Sequence, residues 1–164
     1  MALIDHARLL QVLKYDPETG IFTWLEKISI KVVVGRAAGG TNVGGYTVIS
    51  LFGQFYYAHR LAWFYMTGEW PKQIDHADGD RSNNRFANLR RATHIQNILN
   101  AKMAKNNTSG FKGVSWHKGA GKWMVQTYID GVKIYLGLYE DPAEGYRAYE
   151  RAVNNTHPEF LRAK

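Results

Sequence analysis

Residues 74–100 constrain the fold more than any other stretch, because they read as strand, turn, strand and helix in quick succession. Ile74-Asp75-His76 is a short strand entering a turn rich in Asp, Gly and Asn, from Ala77 to Arg85. Those residue types bend the backbone onto their own side chains and tolerate left-handed conformations. Asn88-Leu89-Arg90-Arg91 leaves the turn as a second strand. Thr93 is placed to cap a helix through Asn100, with Ile95, Ile98 and Leu99 on its buried side. So small a motif buries little surface alone and must lean on its neighbours.

The preceding residues, 1–71, read as a small α+β scaffold. Leu3, Leu9, Leu10 and Leu13 trace one face of a short helix, ended by the turn sequence Asp16-Pro17-Glu18-Thr19-Gly20. Ile21–Trp24 reads as a strand. Tyr46–Leu51 and Gln54–Ala58 read as a hairpin turning at Phe52-Gly53, and Leu61, Trp63, Phe64 and Met66 as a buried helix. Ile28–Val33 carries no clear period and is left unassigned.

After residue 100 the chain passes through a polar, basic tether from Ala101 to Gly110. Three strand patterns follow: Phe111–Trp116, Lys122–Ile129 and Lys133–Leu138. The Asp130-Gly131 pair marks a tight hairpin. Asp141-Pro142 opens a helix with Ala143, Tyr146, Tyr149 and Val153 at helical spacing. The whole is α+β, divided as scaffold (1–71), central motif (72–104) and C-terminal sheet plus helix (105–164).

Composition narrows the chemistry. The chain of 164 residues contains no cysteine, which removes disulfides, Cys-ligated zinc, iron–sulfur clusters and thiol catalysis. Its formal net charge of +7 favours a polyanionic partner. The beginning MALIDHARLL lacks the pattern of a secretory signal, and no apolar run is long enough for a membrane span. The expectation is a cytoplasmic protein with no membrane partner.

The string Asp75-His76-x-Asp78-Gly79-x-x-x-Asn83-Asn84-Arg85-x-x-Asn88-Leu89-Arg90, followed by Asn97, resembles the HNH endonuclease family in its phage-type homing variant. The preceding Gly44-Gly45-Tyr46 and Ala58-His59-Arg60-Leu61-Ala62-Trp63 resemble what flanks the motif there. The resemblance implies a ββα fold gripping one divalent metal. Phosphodiester hydrolysis needs an activated water and charge neutralisation at the phosphate. A neutral imidazole suits the first task, so His76 is the candidate general base. Asp75 and Asn97 offer hard oxygen ligands for Mg2+ or Mn2+, and no structural zinc is expected. By resemblance, Asn88 fixes the turn and hydrogen-bonds the imidazole. Many family members place a second histidine where this chain has Asn97. Asp78, Asn83 and Asn84 read as turn formers, and His59 as structural or phosphate-contacting rather than catalytic.

Lys112-Gly113-Val114, Gly121-Lys122-Trp123, Tyr135-Leu136-Gly137 and the helix with Ala148-Tyr149 resemble the AP2/ERF DNA-binding domain. That resemblance implies a sheet laid in the major groove of double-stranded DNA. The face implied carries Lys112, Ser115, His117, Gln126, Tyr128, Lys133 and Tyr135, and Lys122 is a further candidate DNA contact. Arg85, Arg90, Arg91, Lys102 and Lys105 are candidate phosphate contacts. The reading is a metal-dependent DNA endonuclease with site preference. A monomer would nick one strand and a homodimer could cut both. Its rivals are an inactive DNA-binding regulator and an RNA-directed nuclease.

Overall fold

The computed structural model describes residues 4–101, 103, 106–129 and 131–156. The expectations at Leu3, Lys102, Lys105 and Asp130 lie outside these residues. The chain forms two compact units, Met1–Arg91 and Ala92–Lys164.

The first unit begins with α1, His6–Val12, whose cap Asp5 accepts a hydrogen bond from the Arg8 amide at 2.9 Å. Leu13 continues the apolar stripe of α1 in sequence, yet it opens strand β1, Leu13–Asp16. Leu13 and Tyr15 are buried and Lys14 is exposed, so a period of two wins over the helical one. The turn at 17–20 therefore closes a hairpin rather than ending a helix. Its second strand, β2 (Ile21–Trp24), pairs antiparallel with β1, Leu13 opposite Trp24. Residues 28–33 join no strand or helix; Val32 is buried while Ile30 is almost fully exposed.

Strands β3 (Gly40–Thr41), β4 (Thr47–Leu51) and β5 (Gln54–Tyr57) make a sheet in that order. The β4–β5 connection is Phe52-Gly53 with φ of 50° and 79°, as a type I′ hairpin turn requires. Helix α2 (Ala58–Thr67) follows at once and stops at Gly68, whose φ is 73°. Strands β6 (Ile74–His76) and β7 (Leu89–Arg91) form the central ribbon, joined through a 3-10 turn at Phe86–Asn88. Ile74 and Leu89 enter the same core as Leu9, Leu13, Phe22, Ile49, Leu51 and Leu61. The scaffold thus supplies the hydrophobic burial that the ribbon lacks alone.

In the second unit, α3 (His94–Asn100) starts at the expected cap Thr93, and Gln96 completes a capping box with it. Leu99 is buried, but Ile98 is 41% exposed, against the expectation; Asn100 takes the buried position instead. Strands β8 (Val114–His117), β9 (Lys122–Ile129) and β10 (Val132–Tyr139) form an antiparallel sheet in the order β10-β9-β8. Helix α4 (Pro142–Asn154) lies against it, and Asp141 caps it by accepting from the Ala143 amide.

Strand β8 begins three residues later than its sequence pattern, because the preceding residues form a bonded turn. Asn107 donates to the Phe111 carbonyl, and the Ser109 hydroxyl bonds to Asn107, Phe111 and Val114. The end of the supposed tether is therefore ordered structure. Gly113 has φ of 74°, and a Cβ there would stand 2.2 Å from the Tyr149 ring. Only glycine lets α4 approach the sheet this closely.

Candidate active site

Three elements of the first unit build the surroundings of His76. Strand β6 carries Asp75 and His76, both buried, at 9% and 5% exposure. The imidazole Nε2 lies 3.2 Å from the Asn84 side-chain oxygen. Asn84 is itself buried, and its amide nitrogen donates to the Ser82 carbonyl at 3.1 Å. That bond fixes which end of the amide faces the ring. An oxygen facing Nε2 requires Nε2 to carry the proton, so the lone pair of the neutral ring sits on Nδ1.

The expected bond from Asn88 to the imidazole is not formed; Asn84 takes that place. Asn88 closes the loop instead. Its side-chain oxygen accepts from the Asp78 amide at 3.1 Å, and its nitrogen donates to Asp78 Oδ1 at 3.0 Å and to the Asn83 carbonyl at 2.8 Å. Asn88 ends the 3-10 turn, where both its ends meet the loop's backbone and acids. Asp78 loses some hydration, but bonds from Asn83, the Asp80 amide and Asn88 hold its carboxyl below the usual range. Asp78 and Asn83 are turn formers, as their residue types suggested.

The loop is clamped from behind by the first hairpin, a contact with no local signal in the chain. The Tyr15 hydroxyl donates to the Asn84 carbonyl at 2.6 Å, and the Phe86 amide to the Pro17 carbonyl at 3.0 Å. Gly20 packs so close that a Cβ would stand 2.4 Å from the Asn84 backbone. Burial pushes the Tyr15 hydroxyl well above its ordinary pKa, so it stays a donor.

The second wall is aromatic. His59, the second residue of α2, is 8% exposed and meets the His76 ring edge-on, centroids 4.9 Å apart. Tyr57 stacks on His59 at 5.5 Å, and Tyr46 lies 5.4 Å from it. Arg81 covers Tyr46 at 4.9 Å and donates to the Gly44 carbonyl, tying the loop to the scaffold. Burial first, then the neighbouring His76 and Arg60, pulls the His59 pKa down to about 3. His59 is thus a neutral packing residue beside His76, and its burial removes the phosphate-contacting alternative.

Asp75 faces Arg90 directly across the ribbon. Arg90 Nε and Nη2 both reach Asp75 Oδ2, at 2.9 and 2.8 Å. The guanidinium assigned to phosphate is therefore committed to the carboxylate. Opposite charges at directly opposed ribbon positions were the signal that could have found this pair. Arg91 is engaged too: it pairs with Glu69 and lies 5.5 Å from the centroid of Trp63. Arg85 is exposed. Asn97 lies on α3 in the second unit, half-buried. Among the described residues no group of three or more His, Cys, Asp or Glu could hold a metal ion. Asp75 offers a hard oxygen donor of the kind a hydrated magnesium ion takes.

In the second unit the strand register separates two faces. Val114, Val125 and Thr127 are buried toward α4. The opposite face carries Ser115, His117, Gln126, Tyr128, Lys133 and Tyr135, with Gln126 opposite Tyr135 and Tyr128 opposite Lys133, and Lys122 joins it opposite His117. Met124 and Leu138 share it and were missed; Met124 pairs with Leu138 on one side and with Ser115 on the other. Lys112 does not join them. Its ammonium donates to the Leu99 and Ala101 carbonyls and so caps the C-terminal end of α3, where the helix dipole favours a cation.

Known proteins agree with the central motif. The HNH endonuclease family model matches residues 56–99, which span α2, the ribbon and most of α3. Protein 3.8 of Escherichia phage T7 is 43% identical over 83 residues, covering 48% of this chain and 69% of that protein. The chain belongs to the HNH endonuclease family. A solved structure described as DNA binding and cleavage by the HNH homing endonuclease I-HmuI has 20% identity and a TM-score of 0.48, over 82% of this chain and 77% of that one. The HNH match includes Tyr57 and His59 of the aromatic wall along with the ribbon, whereas Tyr46 precedes it. No helix among the described residues is long and apolar enough to cross a membrane.

Proposed function

We propose that this HNH protein is a metal-dependent endonuclease that hydrolyses phosphodiester bonds of double-stranded DNA. The observation that carries the reading is the restrained His76: a buried imidazole with Nε2 on the Asn84 oxygen and its ring against His59. With the proton held on Nε2, Nδ1 is the nitrogen that takes a proton from the attacking water. The fixed ring lowers the reorganisation that proton transfer requires.

Asp75 would hold the divalent ion, with Asn97 as the second oxygen ligand by the spacing of the motif. When bound, such an ion neutralises charge at the scissile phosphate and helps the leaving oxygen. Arg90 holds one oxygen of Asp75 and so orients the carboxylate, as outer partners of metal ligands do. Arg85 remains a candidate phosphate contact.

The C-terminal unit positions the cut. We read its sheet and helix as an AP2-like module whose outer face lies in the major groove. The face carries Lys122 and Lys133, while the acids Glu140, Asp141, Glu144 and Glu150 fall at the end of β10 or on α4. Lys122 is restrained by Glu140 at 3.3 Å. The assay is conversion of supercoiled plasmid to nicked or linear forms. Conversion with Mg2+ and none with chelator supports the reading, whereas intact plasmid across Mg2+ and Mn2+ refutes it. Faster cleavage of structured RNA at the same salt would favour the RNA-directed alternative.

A further inference from the structure

The outer face of the C-terminal sheet has the chemistry of an A·T reader. We propose that β8, β9 and β10 select A·T over G·C base pairs in the major groove, with Gln126 as the adenine contact and Met124 and Leu138 as thymine-methyl contacts. The inference rests on the reading of this face as the DNA-docking surface.

Guanine is read chiefly by cations, above all by arginine paired to O6 and N7. Strands β8–β10 contain no arginine at all. Of the lysines, Lys122 is held by Glu140 at 3.3 Å. Lys133 stands one residue after the hairpin turn, opposite Tyr128, at the end of the sheet rather than its middle. That place suits a phosphate.

The middle of the face belongs to other residue types. Gln126 is half-buried, directly opposite Tyr135. Its carboxamide can accept from adenine N6 and donate to N7, a pairing that no other base edge matches. Along one row of the register, Ser115, Met124 and Leu138 lie side by side, with Leu138 39% exposed. Gln126 Nε2 reaches the Met124 sulfur at 2.8 Å, which holds the amide beside the apolar row. A thymine methyl is the one apolar group that the major groove offers such a row. His117 adds little discrimination: its Nδ1 accepts from the Ala120 amide, leaving Nε2–H, and a single donor finds an acceptor on either purine.

B-form DNA is the occupant because a two-stranded ribbon or sheet enters its major groove, whereas the A-form major groove is too narrow. Strands β8–β10 carry Lys122 and Lys133 and no acid, whereas α4 balances Glu144 and Glu150 with Arg147 and Arg151, so the phosphate backbone favours the sheet.

The test is selection from a random duplex pool by the full chain carrying His76→Ala, with divalent metal withheld, at one stated salt concentration. The selected sites should be rich in A·T, and replacing their central A·T pairs by G·C should weaken binding about tenfold. Gln126→Ala should bring that ratio to within threefold, and Lys133→Ala should weaken both duplexes alike. Gln126 is on the outer face and Lys133 is exposed, and matched circular dichroism confirms that both variants fold. Selection of G·C-rich sites, or full discrimination by Gln126→Ala, overturns the proposal while leaving a DNA-docking face intact. Binding that ignores both Gln126→Ala and Lys133→Ala overturns the docking reading beneath it.

Discussion

Replacing His59 by phenylalanine should make the protein resist acid. The buried His59 ring has a pKa near 3 in the folded chain, because burial, His76 and Arg60 all disfavour its charged form. In the unfolded chain the value returns to about 6.5. The unfolded state therefore binds the extra proton, and stability rises with pH between the two values. His59 leaves its stability intact above pH 6.5 and loses it as pH falls toward 3. The loss approaches about 1.4 kcal/mol per pH unit, or about 3 kcal/mol between pH 6.5 and pH 4. Phenylalanine keeps the ring contacts with Tyr46, Tyr57 and His76 and cannot titrate. It also removes a buried nitrogen, Nδ1, that has no hydrogen-bond partner among the described residues. That gain of about 1–3 kcal/mol is offset by overpacking of similar size. Near pH 7 the two proteins should differ little, and the difference in unfolding free energy should then grow on acidification. Urea unfolding at pH 7, 6, 5 and 4 measures it directly. Parallel curves for wild type and His59→Phe would refute the argument, because His59 would then titrate normally and could not be buried against His76.

Arg90→Ala should destabilise the first unit by about 2–3 kcal/mol, since Asp75 is nearly buried while Arg90 is one quarter exposed, which reduces the full cost of breaking a buried pair. It should also raise the Mg2+ concentration needed for half-maximal cleavage by roughly 10–100-fold, as loss of an orienting partner does. Lysine should not rescue it, because a flexible ammonium cannot reproduce both the Nε–H hydrogen bond and the planar guanidinium ion pair on Oδ2. A metal titration unchanged in Arg90→Ala would remove Arg90 from the site. Gly113→Ala forces a Cβ to within 2.2 Å of Tyr149 at a φ of 74°. Left-handed strain and overpacking together cost about 3 kcal/mol, which lowers the melting temperature of the second unit by roughly 10–20 °C. Calorimetry showing no shift would mean that α4 does not press on the sheet.

Much of this molecule was legible because its signals are local. Thr93 announces a helix cap, Asp141-Pro142 opens α4, and Phe52-Gly53 supplies the positive φ of a hairpin. The outer face came from the AP2/ERF resemblance, and the register puts Gln126, Tyr128, Lys133 and Tyr135 on one side of the sheet. What escaped depends on partners distant in sequence. Tyr15 reads as part of a helix end until its hydroxyl is seen on the Asn84 carbonyl, 69 residues away. His59 has no partner in its own helix and gains meaning only beside His76. Lys112 sits in a basic run that suggests DNA, yet the nearer attraction is the carbonyl end of α3. Arg90 and Arg91 show the same competition, settled in favour of Asp75 and Glu69. A positive residue near a site answers first to the acids and carbonyls within reach.

The central claim is that His76 activates the water that cuts DNA. Single-turnover nicking of supercoiled plasmid, with enzyme in excess and saturating Mg2+, isolates that step from binding and product release. The account predicts that His76→Ala lowers the single-turnover rate about 10²–10⁴-fold with DNA affinity unchanged. A His76→Ala rate within threefold of wild type would contradict it.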